Sequence, residues 1–147
     1  MKITKLYTGS LRTGGYMKKI YTLLLDALRS IRSSRRWSAQ RRIEVQAVLE
    51  ELMEDLPYIA DGTHHWTGSE HDVFLNYLYP ELPLAVLIVP RTYIRKYAKE
   101  KIWKLCVANV SYSIRICKKV DIPLIVIYPD DPIDKYTLAN RIEEVLR

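Results

Sequence analysis

The sequence predicts an α+β protein in which one mixed β-sheet is flanked by helices. Three observations support this prediction: continuous apolar runs near 84–89 and 122–128, alternation over Val73–Tyr79, and helical apolar periodicity in the segments between them. Continuous apolar runs of this length are typical of central strands covered on both faces, and alternation is typical of half-buried strands. Because the 147 residues contain no internal repeat and no linker, we expect a single domain, 1–147.

The beginning of the chain is predicted to form one strand and two helices. Residues 2–8 have the composition of a short strand, and residues 16–31 show helical apolar periodicity. The pair Ser33-Ser34 is expected to interrupt this helix. Ser38 has the residue type of a helix N-cap, so a second helix is expected over 39–56, ended by the proline that follows.

The middle of the chain is predicted to form the central three-stranded segment of the sheet. A first strand begins at 58–60 and is followed by a turn at Asp61-Gly62, because that dipeptide favours turns. A polar loop over 64–69 leads to the strand Val73–Tyr79. After a proline-containing turn, the apolar run 84–89 forms the central strand.

The end of the chain is predicted to form a long helix, a strand and a last helix. Apolar residues recur at helical spacing over 93–120, and the apolar run 122–128 forms the strand. Asp130 or Asp131 can cap the last helix, with Pro132 in its first turn. The predicted order is therefore β-α-α-β-β-β-α-β-α.

Charge is distributed in blocks along the chain. Residues 1–49 carry 11 Lys and Arg but 2 acids, and residues 91–119 carry 9 Lys and Arg but 1 acid. Between them, residues 50–90 carry 8 acids, all 3 histidines and no Lys or Arg. One interpretation is a polyanion-binding surface around a site for a hard cation. The alternative is that the blocks fold against one another and cancel.

The acidic centre offers several groups for metal binding or proton transfer. Asp61 and Asp72 are expected at neighbouring strand ends, where two carboxylates can share Mg²⁺ or Mn²⁺. His64, His65 or His71 could move protons. The alternative is a polar hairpin loop whose histidines face solvent.

This order of elements, over 39–128, resembles the core of the PD-(D/E)XK, or restriction-endonuclease-like, nucleases. The resemblance implies an acid on the core helix (Glu50, Glu51 or Glu54), an aspartate on the second strand and a Glu-x-Lys or Asp-x-Lys on the third. Glu81 lies just before the third strand but is followed by Leu82-Pro83, so the lysine is absent and Arg91 is the nearest base. The metal ligands implied are Asp72, Glu81, Asp61 and Glu54.

Two basic segments, 29–42 and 91–104, are predicted to contact nucleic acid, because arginine binds phosphate in two-pronged fashion and tryptophan can stack on a base. Their alternatives are a solvated hinge, an acidic protein partner or an ordinary solvated face. The predicted contact residues are Arg29, Arg32, Arg35, Arg36, Trp37, Arg41, Arg42, Arg95, Lys96 and Lys99.

These features predict a metal-dependent nuclease acting on DNA rather than RNA, with Asp72, Glu81, Asp61, His71 and Arg91 in catalysis and Mg²⁺ or Mn²⁺ as cofactor. A non-catalytic nucleic-acid-binding protein and a self-associating adaptor are the alternatives, and a homodimer is one possibility left open. No apolar run is long enough to cross a membrane. The expected location is the cytoplasm, of the host if the protein is viral. The scarcity of Asn and Gln favours a hyperthermophilic archaeon or its virus as the source.

Overall fold

The computed structural model describes residues 15–66 and 72–147, and most side chains before residue 33 lie outside the description. The chain divides into two compact units, Met1–Arg36 and Trp37–Arg147. Helix α1, Gly15–Leu52, begins in the first unit and ends in the second. That the chain forms a single domain stays a prediction, and the strand expected over 2–8 lies outside the described residues.

The second unit is built on a four-stranded mixed sheet, which confirms the predicted α+β class. Within the described chain the strand order is β1-β2-β3-β4. The first three strands pair antiparallel, and β4 pairs parallel with β3. The elements after α1 are β1 (Ile59–His64), β2 (Val73–Tyr79), β3 (Leu84–Ile88), 3-10 turns at Arg91–Tyr93 and Arg95–Tyr97, α2 (Glu100–Lys119), β4 (Leu124–Ile127) and α3 (Lys135–Leu146).

Helix α1 is continuous where the sequence predicted a break. The expected interruption at Ser33-Ser34 is wrong, because a serine inside a long helix costs only a few tenths of a kcal/mol, roughly, while each added residue gains a hydrogen bond. Ser38 is not an N-cap either. It lies within the helix, and its hydroxyl oxygen accepts a hydrogen bond from the backbone N–H of Arg91 at 3.3 Å.

Strand β1 runs through the dipeptide that was predicted to form a turn. Its pairing with β2 extends from Ile59 opposite Leu78 to His64 opposite Val73. Asp61 takes a positive φ of 43° within this ladder. Aspartate tolerates that conformation better than most residues, and the strand is thereby kept in register across Asp61-Gly62.

The second long helix begins later than predicted. Helix α2 starts at Glu100 rather than near residue 93, and the two 3-10 turns precede it. Side-chain contacts hold this segment out of the helix. The Tyr93 carbonyl accepts a hydrogen bond from Trp103 Nε1 at 2.9 Å, and the Tyr93 ring lies 5.3 Å from that of Tyr128.

The core lies on both faces of β3, as the continuous apolar run predicted. Every residue of β3 is buried, as is Val89 after it. On one face Leu84, Val86 and Ile88 pack with apolar residues of α1 and α3. On the other face, the alternate residues pack with apolar residues of α2.

A cluster of three tyrosines lies at the β1–β2 side of the first core. The ring of Tyr58 is 5.5 Å from the rings of both Tyr77 and Tyr79. Burial, with a smaller contribution from the charge of Asp61, raises the pKa of Tyr77 to about 12. Burial also raises the pKa of Tyr79 well above its ordinary value.

We therefore expect the free energy of unfolding to fall as the pH rises from about 10 to about 12. The unfolded chain loses the Tyr77 proton from pH ~10 upward, whereas the folded chain keeps it to pH ~12, so Tyr77 alone contributes a fall of about 1.4 kcal/mol per pH unit. Denaturant unfolding across this range should show a shallower fall for Tyr77→Phe. Tyr136→Phe, at a side chain that is 84% exposed, is the matched control. A fall of equal steepness in wild type and Tyr77→Phe would contradict this account.

Candidate functional site

A cleft of about 580 Å³ opens at the end of the sheet where β2 begins and β3 ends. Helix α1 contributes Ser38, Arg41 and Arg42 to one side of it. The N-terminal half of α2 contributes an apolar wall that includes Ile102 and Leu105. A concave, largely apolar site with a few polar groups at its rim is the usual form of a ligand site.

A stack of alternating arginine and aromatic side chains stands beside the cleft. The Trp37 ring has the Arg41 guanidinium 5.4 Å from its centroid and the Arg91 guanidinium 5.5 Å away. The Arg91 guanidinium also lies 3.7 Å from the centroid of Tyr97. These cation–π contacts fix Arg91 in place. Tyr97 was missed by sequence reasoning, because a position inside a predicted helix gave no sign that it would meet Arg91.

Arg41 has a role that the sequence did not predict. Its guanidinium donates to the backbone carbonyls of Tyr128, at 2.9 Å, and of Asp131. Arg141, on α3, donates to the backbone carbonyl of Val126 at 2.6 Å. Arg141 therefore holds the last part of β4 and Arg41 holds the segment that follows it, and the Arg41 donors used there do not face a ligand.

The other predicted basic residues differ in whether their side chains are already bound to groups within the protein. Arg42 lines the cleft and is exposed, and Lys96 and Lys99 are exposed on the segment before α2. None of these three forms a salt bridge to a residue that the structure describes. Arg95 donates to the carbonyl of Ala98 at 2.8 Å.

The remaining predicted contacts lie in the first unit. The side chains of Arg35 and Arg36 are exposed there. Those of Arg29 and Arg32 fall outside the described part of the structure. The cleft itself is formed by residues of the second unit alone.

Two of the predicted carboxylates lie toward the cleft end of the sheet. Asp72 lines the cleft, and its carboxylate is 3.2 Å from Nδ1 of His65. Asp61 accepts a hydrogen bond at 3.3 Å from the side chain of Asn76, which also lines the cleft. Asn76 is buried and accepts from the backbone N–H of Ile88 at 2.6 Å, so Asp61 is tied to the end of β3 through it.

The other two predicted carboxylates lie at the opposite end. Glu81 stands in the turn after β2, while Asp72 stands just before it, and a strand of seven residues spans roughly 23 Å. Glu54 precedes β1, whose first residue pairs with Leu78 near the far end of β2. The expectation that Asp72, Glu81 and Glu54 share one site is therefore wrong, because β2 separates them.

Mg²⁺ or Mn²⁺ as a cofactor stays a prediction. Across 15–66 and 72–147, no group of three or more His, Cys, Asp or Glu side chains comes together. Strand β3, where the resemblance to PD-(D/E)XK nucleases implies a carboxylate and a lysine, consists only of apolar residues. His71, predicted to take part in catalysis, lies outside the described residues.

Substitution of the adjacent residues Arg41 and Arg42 distinguishes a structural role from a binding role. We expect Arg41→Met to lower the free energy of unfolding by about 2–3 kcal/mol, because two partly buried carbonyls lose a charged donor. Arg42→Met, at an exposed side chain, should change it by no more than about 0.5 kcal/mol. Denaturant unfolding of the two variants tests this. Equal stability of both variants would contradict the role given to Arg41.

Comparisons of the chain with protein-family models, with curated proteins and with solved structures find no match. The observed order from α1 to β4 is helix, three strands, helix and strand, which is the order on which the nuclease resemblance rests. Membership of that family stays a prediction. None of the described helices combines the length and apolarity that a membrane-spanning helix requires.

Proposed function

We propose that the unit Trp37–Arg147 binds nucleic acid, DNA in the first place, at the cleft end of its sheet. The observation that carries the proposal is a set of exposed cations without a carboxylate partner in the described chain: Arg42, which lines the cleft, and Lys96 and Lys99, which lie in sequence between the cleft-lining residues Thr92 and Ile102. Among the described residues that line the cleft, Asp72 is the one carboxylate. Unpaired cations around a cleft attract the phosphate backbone and release its counterions.

The arginine–aromatic stack supports phosphate as the ligand. Arg91 is held against Trp37 and Tyr97 before any ligand arrives, so less side-chain entropy is lost on binding. Its planar guanidinium can bind two phosphate oxygens at once.

We expect binding to weaken steeply with salt and to depend on these cations. Each phosphate contact contributes about 0.9 to the slope of log K against log salt for duplex DNA and about 0.7 for a single strand. Fluorescence anisotropy between about 50 and 200 mM salt should therefore show slopes reduced by about one contact in Arg42→Met and in Lys99→Met.

Lys118→Met is the matched control, because Lys118 is also exposed but lies near the end of α2 that is remote from the cleft. Its slope should equal that of wild type. Absence of binding by wild type, or equal slopes in all variants, would overturn the proposal.

The same end of the sheet supports a second candidate, hydrolysis of DNA phosphodiester bonds. Its support is the contact between Asp72 and His65, since a carboxylate that holds Nδ1 leaves Nε2 to take a proton from water. Arg91 could stabilise the charge that develops on the phosphate.

For this second candidate, linear, circular and single-stranded DNA are incubated with Mg²⁺, with Mn²⁺ and with EDTA. A nuclease should lose cutting at least about 100-fold in Asp72→Asn and in His65→Gln. Glu81→Gln removes a carboxylate at the far end of β2 and should keep full activity. Binding of DNA without cutting under any condition would remove the second candidate and leave the first.

A further inference from the structure

We propose that the cleft takes one unpaired base of a nucleic-acid strand, stacked on Phe74, while Arg42 binds the phosphate beside it. This inference rests on the proposed binding of nucleic acid and assigns its substrate class, a single strand. Phe74 and Arg42 line the same cleft. Aromatic side chains beside cations are the usual means of holding an unpaired base and its backbone.

Three of the nine large exposed apolar side chains among the described residues line this cleft. Phe74 is 42% exposed, Ile102 is 45% exposed and Leu105 is 57% exposed, and all three line it. Large apolar groups gathered in one concave place indicate a ligand with apolar surface. Both neighbours of Phe74 on β2, Val73 and Leu75, are buried under α2, so the alternation of the strand leaves Phe74 itself open to solvent.

The cleft also offers a polar group suited to the edge of a base. Asn109 lines it, is exposed, and its carboxamide makes no hydrogen bond to the residues described. A carboxamide carries both a donor and an acceptor, and can therefore pair with the edge of any base. Asn76 cannot serve in this way, because its carboxamide is already bound to Asp61 and to the backbone of Ile88.

Charge and shape favour an unpaired base over other apolar occupants. A base within a duplex has both faces stacked and cannot enter a cleft, whereas an unpaired base exposes its faces. An apolar peptide would leave Arg42 without a partner. A free mononucleotide would use Arg42 but not Lys96 and Lys99 outside the cleft, which favour a strand with flanking phosphates.

The test distinguishes contacts to the base from contacts to the phosphate backbone. Wild type and Phe74→Ala are titrated by anisotropy with an oligothymidylate of about 12 nucleotides and with an abasic strand of the same length. Phe74→Ala should weaken binding of the oligothymidylate on the order of 5- to 150-fold, which corresponds to the loss of one stacked base. On the abasic strand the two proteins should differ less than about twofold.

Companion variants keep the test independent of folding. Phe74→Trp should retain binding, Leu105→Asn should reproduce the selective loss, and Tyr136→Ala, at an exposed side chain of α3, should match wild type. Equal losses on both strands, or tighter binding of a duplex or of thymidine monophosphate than of the single strand, would overturn this inference but leave the proposed function. Absence of wild-type binding to any nucleic acid would overturn both.

Discussion

The burial of β3 on both faces is the constraint on which the rest of the structure depends. A strand that is apolar on every residue must be paired on both edges and covered on both sides. Here β2 and β4 supply the edges, while α1 with α3 and α2 supply the two covers. The pairing of β3 ends at Pro90 and the 3-10 turns that follow it, whereas α1 and α2 extend beyond this point. The cleft lies in the space that this leaves between α1 and α2.

The parallel strand β4 depends on a second constraint, the fixing of the chain where it leaves the sheet. Arg141 binds a backbone carbonyl within β4, and Arg41 binds the carbonyl of Tyr128 directly after it. Residues 41 and 42 point in directions about 100° apart around the α1 axis. The Arg41 side chain can therefore be used in structural hydrogen bonds while that of Arg42 stays exposed at the cleft. A run of arginines in sequence thus contains both structural and free members, and only the tertiary structure distinguishes them.

The sequence was sufficient to predict β2, β3, β4 and the presence of α3 from their apolar patterns. The predicted cap of α3 is wrong, because Asp134, rather than Asp130 or Asp131, caps the helix by accepting a hydrogen bond from the backbone N–H of Thr137, and Pro132 lies before the helix. The sequence misplaced features that tertiary contacts decide: the bond between Ser38 and Arg91 lies where a helix break was expected, and the bond between Asp61 and Asn76 lies where a turn was expected. The cleft wall could not be predicted. Ile102 belongs to the same helical stripe as core residues of α2, but the sheet ends before it can cover this first turn of the helix.

The apolar character of β3 at its cleft end bears on both candidate functions. In the nuclease pattern, charged groups on the third strand stand beside the aspartate of the second, whereas here the end of β3 next to the cleft is apolar. An apolar floor is unsuited to gathering a hard cation but well suited to burying the face of a base. The apolar end of β3 beside the cleft therefore fits the proposed binding of an unpaired base better than the candidate cutting of the strand.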